Sequence, residues 1–448
     1  MTSNGSSQGD TPDHGRTYAI SSFGCKANRY DAAVIEEQLA ALGYEPAEST
    51  STADLIVVNT CTVTARADAD ARHAIARIRR RNPDCRLVIT GCLAQRDPGL
   101  LRELNGRATI LGNDEKFLLA DVMTRIPDGQ PAVQDLPGAE PSWPSALPPS
   151  AVRFSGMTRG YLKIQDGCPG GCTFCIVPSV RGPSRWLAKS EVLNRIESLL
   201  DAGFKEIVLT GIHVGLYGDK GGLLDLLKKI ERIPRTFRIR LSSIECMELD
   251  DDLIRFIAGS EKIARHLHIP LQSGSSKILQ DMGRHYRPSR YADCVELAAR
   301  LIPDVGIGAD VMVGFPTERE AEFEETKRLI SGSPLTYLHV FRFSPRPGTP
   351  AGGMKKRTPD RTVSQWSAEL KALGAVKNLT FRERFAGCRV PGLTLETDTP
   401  TALTTNYIKV HLEKTSDTNR LVPITLTRIN PDKTWGKVEE RDEPGNLP

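Results

Sequence analysis

Residues 166–178 read DGCPGGCTFCIVP and place Cys168, Cys172 and Cys175 within eight positions. Spaced four and three apart, they would share a helix face, but Pro169, Gly170 and Gly171 argue against a helix. A glycine-rich loop wrapped around an inorganic group fits better. The stretch follows a strand pattern, YLKIQ (161–165). Further strand patterns alternate with helical ones: EIVLTG (206–211), FRIRLSS (237–243), HLHIP (266–270), GIGADVMVG (306–314) and YLHVFRF (337–343). Six βα units predict an open, partial (β/α)6 barrel over residues 158–385, with the cysteine loop at the edge where barrel sites lie. Three thiolates can hold three irons of a [4Fe–4S] cube and leave the fourth open, as catalytic zinc keeps one open position. A zinc knuckle completed by His213 or Cys246 is the competing reading, although C-x-x-x-C-x-x-C is uncommon for zinc.

Upstream, residues 16–126 predict a parallel α/β domain. TYAISSF (17–23), DLIVVNT (54–60), RLVITG (86–91) and ATILG (108–112) read as strands, and YDAAVIEEQLAALG (30–43) as an amphipathic helix. Cys25, Cys61 and Cys92 each directly follow a strand, so they fall on one carboxyl edge, where open α/β sheets place their sites. A second three-cysteine cluster and buried core filler both fit this placement. Cys85 precedes its strand and belongs to the opposite edge.

Residues 127–150 are rich in proline and carry no Lys or Arg, which predicts a linker spanning 127–157. After 385 the helices stop. GLTLET, NYIKVHLE and LVPITLTRI predict a small all-β barrel over 386–448. Residues 1–15 are polar, read as a disordered tail, and lack the apolar core of a secretory signal. No apolar run reaches membrane-spanning length. A cytoplasmic location is expected, where the ten cysteines would be metal ligands, reactive groups or core filler rather than disulfides. The net charge of +4 permits a nucleic-acid partner without arguing for one.

The densest basic stretch, ARHAIARIRRRNPDCR (71–86), could meet phosphates. A structural reading is favoured: Asp68 and Asp70 at the start of the helix and Arg79, Arg80 and Arg81 at its end match the helix dipole. In the terminal barrel Tyr407, Lys409, Arg420 and Arg428 are candidate RNA contacts, through stacking and phosphate pairing. Strand propensity would also account for Tyr407.

A C-x-x-x-C-x-x-C loop after the first strand of a partial barrel resembles the radical S-adenosylmethionine (SAM) superfamily. The resemblance implies that the open iron binds SAM and that reductive cleavage gives a 5′-deoxyadenosyl radical. It also implies a set of cofactor-binding residues. Phe174 precedes the last cysteine, and Thr210 and Gly211 lie in VLTGIHVG (208–215). Ser242 and Ser243 lie in RLSSIEC (240–246), Gln272 in HLHIPLQSG, and Asp310 and Gly314 in GADVMVGFPTE (308–318).

The whole chain from about residue 16, with HLHIPLQSGSSKILQDMGRHY (266–286) and FRFSPRPGTPA (341–351), resembles the methylthiotransferases. This implies a second [4Fe–4S] cluster on Cys25, Cys61 and Cys92 that carries sulfur, and a TRAM-like RNA-binding barrel at the C-terminus. GCKANRYD, NTCTVTARAD and TNYIKV look most like the branch that methylthiolates carbon 2 of N6-threonylcarbamoyladenosine at position 37 of tRNA, next to the anticodon. The implied partners are the tRNA anticodon loop, a reducing electron donor and a sulfur donor. The alternatives are the isopentenyladenosine branch, the branch acting on a ribosomal-protein aspartate, and, in another class, a non-catalytic iron–sulfur RNA-binding or electron-transfer protein. Cys246 stands where the family usually has proline, an additional thiol expected near the site, while Cys294 and Cys388 are expected in cores. The terminal barrel is expected to be separable: removing 386–448 should weaken tRNA binding and leave SAM cleavage nearly unchanged.

Overall fold

In the computed structural model, residues 16–125, 147, 150–218, 221–355 and 358–439 are described. The expected tail and nearly all of the linker up to residue 149 lie outside them. The end of that linker is well packed: Leu147, Ala151 and Phe154 are buried in the main core, and the backbone N–H groups of Val152 and Arg153 donate to Glu37.

Leu55–Thr60 is buried at every position, and its β-branched run makes it a central strand. Thr17–Ser22 pairs with it on one side and Arg86–Gly91 on the other, all parallel. Two short strands, Glu45–Pro46 and Thr109–Ile110, close the edges. The chain therefore starts in the interior of the sheet and reverses direction between Thr17–Ser22 and Leu55–Thr60. Such a reversal opens a crevice at the carboxyl edge. Helix Lys26–Ala41 covers one face. Helix Ala65–Arg81 covers the other, capped by Thr64, whose side chain accepts from Ala67 N–H at 3.1 Å. Arg79, Arg80 and Arg81 fill its last turn, as the dipole favours.

The barrel has six parallel strands in chain order: Gly160–Lys163, Glu206–Thr210, Arg238–Leu241, His266–His268, Gly306–Val313 and Tyr337–Arg342. Single bridges, Ile239 to Ile263 and Ser243 to His268, join its two halves. Outward positions such as Ile207, Leu209, Ile239, Ile307 and Val311 pack under the helices and are fully buried, each worth about 1.5–3 kcal/mol. Inward positions toward the floor are polar, with Glu206, Arg238, Arg240, His266, His268, Asp310 and His339, and Met312 and Phe341 follow at the carboxyl end. Helix Asp360–Glu383 then crosses the last strand, with Gly374 set against Leu338.

The C-terminal barrel is closed from five strands, Arg389–Leu395, Thr401–Thr404, Lys409–Leu412, Leu421–Ile429 and Thr434–Val438. It docks directly on the larger barrel. Its turn at 404–408 plugs the floor of the larger barrel. Arg238 donates to the Leu403 carbonyl and Arg240 to those of Thr404 and Thr405. Gly306 lies directly against the Asn406 backbone. Tyr407 stacks on His266 with centroids 4.2 Å apart, and Arg240 lies over its ring.

Candidate functional site

Cys168, Cys172 and Cys175 sit on a loop closed at its base by a two-residue antiparallel ladder, Gln165–Asp166 with Arg185–Trp186. The loop is not helical there: Gly170 and Gly171 have φ of 92° and 116°, which side chains rarely adopt. Thr173 pins it to the barrel, donating from its backbone and hydroxyl to the carbonyls of Met282 and Asp281 and accepting from Ala351 N–H. The thiols are held differently. Burial raises Cys168, but His213 Nδ1 at 3.9 Å from Sγ and the Gly170 N–H outweigh it, so this thiol is the more acidic. Burial pushes Cys175 up to about 11, with the neighbouring thiols adding to the shift. Burial would lower His213, but Cys168 and Glu248 raise it to about 9.

Cys25, Cys61 and Cys92 converge at the carboxyl edge of the first sheet. Cys25 caps helix Lys26–Ala41, and Cys92 opens the short helix Cys92–Arg96. Burial raises Cys61 to about 12, with the Cys92 and Cys25 charges adding to it. Gly24 completes the cradle: a Cβ there would lie 2.7 Å from Cys61 Sγ. Cys85 lies at the opposite edge, beside Arg79 and Asn105.

The two thiol sets meet at one interface. Cys92 packs with Ile176 and Val180 of the barrel loop. A cavity of about 340 Å³ opens beside this contact, lined by Val63 and Thr64 from one domain and Phe174, Cys175, Gln272, Asp310, Met312 and Phe341 from the other. Charge holds the halves in register. Buried Asp31 meets Lys116 at 2.6 Å, Lys163 at 2.5 Å and Arg181 at 3.2 Å, while Asp166 pairs with Lys163 and Arg181. Burial pushes both carboxyls up, but these cations outweigh it and hold them well below the usual range. Arg181 also faces Cys25 and Cys92. A second clamp joins Asp68 to Arg96 at 2.8 Å and to Arg346 of the barrel at 3.0 Å. Asp68 thus ties the two domains together, a role its place at a helix start did not suggest.

Both thiol sets fit iron–sulfur clusters in kind, as soft donors on loops, and a side chain on Gly24 would fill the cradle of the first. The surroundings also suit a polar, hydrogen-bonding ligand. Ser242 Oγ, Gln272 Oε1 and Glu245 Oε2 are buried and have no hydrogen-bond partner among the described residues.

Of the expected cofactor contacts, Phe174, Gln272 and Asp310 line the cavity; Thr210, Gly211, Ser242, Ser243 and Gly314 do not. Gly211 is a glycine because Gln165 crowds it, with the Gln165 carbonyl oxygen 2.8 Å from where its Cβ would lie. At Gly314, Val363 would meet a Cβ at 2.6 Å. Tyr407 is half-buried, and its ring packs against His266 and Tyr337 and under Arg240 in the barrel floor. Lys409, Arg420 and Arg428 are exposed. Arg428 lies over Trp435, 3.8 Å from the ring centroid, and Lys409 and His411 lie on the strand paired beside it, whereas Arg420 pairs with Asp417 at 3.2 Å. Cys246 is fully buried beside Cys294 in the main core, and Cys388 is exposed rather than in a core.

Sequence reasoning passed over His268, His339 and the Arg284–Glu245 pair at 2.7 Å. Their signal was available only for the histidines, which recur at alternate strand positions.

Residues 162–330 match the Radical SAM superfamily, and residues 17–112 match the uncharacterized protein family UPF0004. The threonylcarbamoyladenosine tRNA methylthiotransferase MtaB of Aquifex aeolicus is 35% identical over 410 residues, 91% of this chain and 99% of the relative. The Bacillus subtilis protein of the same name is 38% identical over 80% of each chain. The tRNA-2-methylthio-N(6)-dimethylallyladenosine synthase of Acidothermus cellulolyticus is 34% identical over 82% of this chain and 74% of the relative. Among solved structures, the radical S-adenosylmethionine methyltransferase TsrM from Kitasatospora setae aligns with a TM-score of 0.57 at 18% identity over 75% of both chains, a likeness of fold. Near end-to-end similarity to curated relatives, with both family models matched on the two domains that carry the thiol triads, places the chain in the MtaB-like radical SAM methylthiotransferase family.

Proposed function

We propose that the protein methylthiolates carbon 2 of N6-threonylcarbamoyladenosine beside the anticodon of tRNA, in the cytoplasm, drawing on a reducing electron donor and a sulfur donor. The observation that carries the reading is the cavity that joins the Cys175 loop to the segment after Cys61. With clusters bound by Cys168, Cys172 and Cys175 and by Cys25, Cys61 and Cys92, one would supply the electron for SAM cleavage and the other the sulfur. The protein's own part is positioning and exclusion of water. Phe174, Met312 and Phe341 give the cavity an apolar wall, while Gln272 and Asp310 offer polar groups at its base. An anticodon-loop nucleotide is already unpaired, which lowers the cost of bringing its base into such a pocket. Lys409, His411, Arg428 and Trp435 form the face that suits the surrounding RNA, with cations for phosphate and an aromatic ring for a base. For the branch, the full-length Aquifex aeolicus relative supports threonylcarbamoyl over dimethylallyl. The test offers anaerobically reconstituted protein two tRNAs, one bearing each substituent. Methylthiolation of the threonylcarbamoyl tRNA is expected. Product only on the other tRNA would overturn the branch, and product on neither would overturn the nucleic-acid substrate.

A further inference from the structure

Three neighbouring barrel strands, His266–His268, Gly306–Val313 and Tyr337–Arg342, each bring one metal-binding side chain to the same spot. His268 Nε2 lies 3.0 Å and His339 Nδ1 3.2 Å from one oxygen, Oδ1 of Asp310. One ligand atom from each of the three residues lies within 4.8 Å of the other two. Bonds of about 2.0–2.2 Å at tetrahedral angles put the donors of a metal about 3.4 Å apart, so these three need move little to share an ion. Strand register builds the group. Asp310 pairs directly with His339, and His268 pairs with Gly308, which faces the same side as Asp310. Gly308 in turn pairs with Tyr337, and a Cβ on it would collide with the Tyr337 ring and hydroxyl. The glycine thus lets the phenol reach across the strand to His268, whose Nδ1 lies 3.1 Å from its oxygen; His266 Nε2 lies 2.8 Å from the same oxygen. A phenol oxygen can accept from Nδ1–H, which orients the ring and leaves Nε2 bare for a metal.

A further donor stands beside them. Gln272 lines the same cavity as Asp310, and its backbone N–H donates to the Asp310 carbonyl at 2.8 Å. Gln272 is only 7% exposed, and its Oε1 has no hydrogen-bond partner among the described residues. A buried amide oxygen left without a donor is costly. Two imidazoles on one carboxylate would make a hydrogen-bonded cluster by themselves, but that cluster leaves the Gln272 oxygen unsatisfied, whereas an ion or its bound water satisfies it. The group can be reached from solvent, since His339 keeps 61% and Asp310 28% of its side chain exposed.

We propose that His268, Asp310 and His339 bind one divalent first-row transition ion, with the Gln272 amide oxygen at its open side. Two imidazoles and a carboxylate favour Zn2+, Fe2+ or Co2+ over Mg2+ and Ca2+, which take oxygen donors. Three protein ligands leave room for water or an anionic group entering the cavity to complete the shell. The site shares no ligand with either thiol set, and it does not depend on which nucleoside the protein modifies.

The test uses the full-length reconstituted protein, freed of loose iron, and titrates it with Co2+ alone under anaerobic conditions. About one Co2+ per chain should bind in addition to the iron, and absorption at the cobalt K-edge should show nitrogen and oxygen neighbours without sulfur. His339→Gln, at an exposed position, and Asp310→Asn should each weaken this binding by at least about 10-fold, and Tyr337→Phe should weaken it by about 10-fold through the loosened His268 ring. Each variant is compared with the parent at equal iron content. Sulfur in the cobalt shell would overturn the proposal in favour of binding to thiols. Parent-like affinity in both His339→Gln and Asp310→Asn would overturn it, as would the absence of bound cobalt at millimolar concentration.

Discussion

A methyl group on Gly24 would lie where Cys61 already is, and Gly24 also has a φ of 99° that other residues rarely adopt. Gly24→Ala should therefore push Cys61 out of the trio. The expected result is loss of about half the iron, with reductive SAM cleavage retained, read by metal analysis and 5′-deoxyadenosine release. Direct removal of ligands should split the same way. Cys168→Ala should abolish SAM cleavage, whereas Cys61→Ala should spare it and stop methylthiolation. Both reconstituted sites together are expected to hold about eight irons per chain, and stoichiometric zinc instead would overturn the assignment. Cys85→Ala, at the far edge, should change neither. The thiol positions were legible because strand ends can be read from apolar runs, and a residue just past a parallel strand has one possible edge. Asp31 was not legible as a clamp. Nothing in GCKANRYD says that its last carboxylate meets Lys163 and Arg181 of the other domain.

At the scale of elements, the strands and the long helices followed their periodicity, and so did the C-terminal barrel except at one segment. NYIKVHLE reads as one strand, yet only Lys409–Leu412 is strand, and Asn406–Tyr407 turns back with Tyr407 at φ 73°. A tyrosine in that region is strained, and stacking on His266 and under Arg240 offsets the strain. The compensation lies in a segment about 140 residues away, so local sequence could not reveal it. Tyr407→Ala should lower stability by about 2–3 kcal/mol, seen as a lower Tm, without a specific loss of RNA affinity at temperatures where the fold holds. The exposed strand pair behaves in the opposite way. Replacing Lys409 and Arg428 together by Ala should leave Tm nearly unchanged, weaken tRNA binding, and flatten its salt dependence by about one to two ion equivalents. Unchanged tRNA affinity would remove this face from the RNA-binding surface.

At the scale of the molecule, two domains are fastened through buried charge rather than through apolar surface alone. Asp31 and Asp166 have carboxyl groups held well below their unfolded range by Lys116, Lys163, Arg181 and Arg185. A depressed carboxyl stabilises the fold above its unfolded value and stops doing so as protons are taken up. Stability should therefore be fully present near neutrality and decline as pH falls below about 4, measurable as Tm against pH. Asp31→Asn leaves its cations buried without their counter-charge and should cost about 3–5 kcal/mol at pH 7. If Tm were indifferent to this change, the network would not be what fastens the halves. Six strands, a parallel sheet and a small barrel could be counted from the sequence; how they dock could not, because each clamp pairs residues that are far apart along the chain. The plugged floor settles the traffic through the barrel. A vessel with one door serves its contents in order, so whatever lies deepest must enter first and leave last. With the floor plugged, SAM and the RNA nucleotide would share the one open end, so SAM should exchange freely with the protein alone and be trapped once an RNA nucleotide stands in the doorway. Isotope exchange of bound SAM should slow sharply on adding tRNA, and spent cofactor should wait on departure of the RNA.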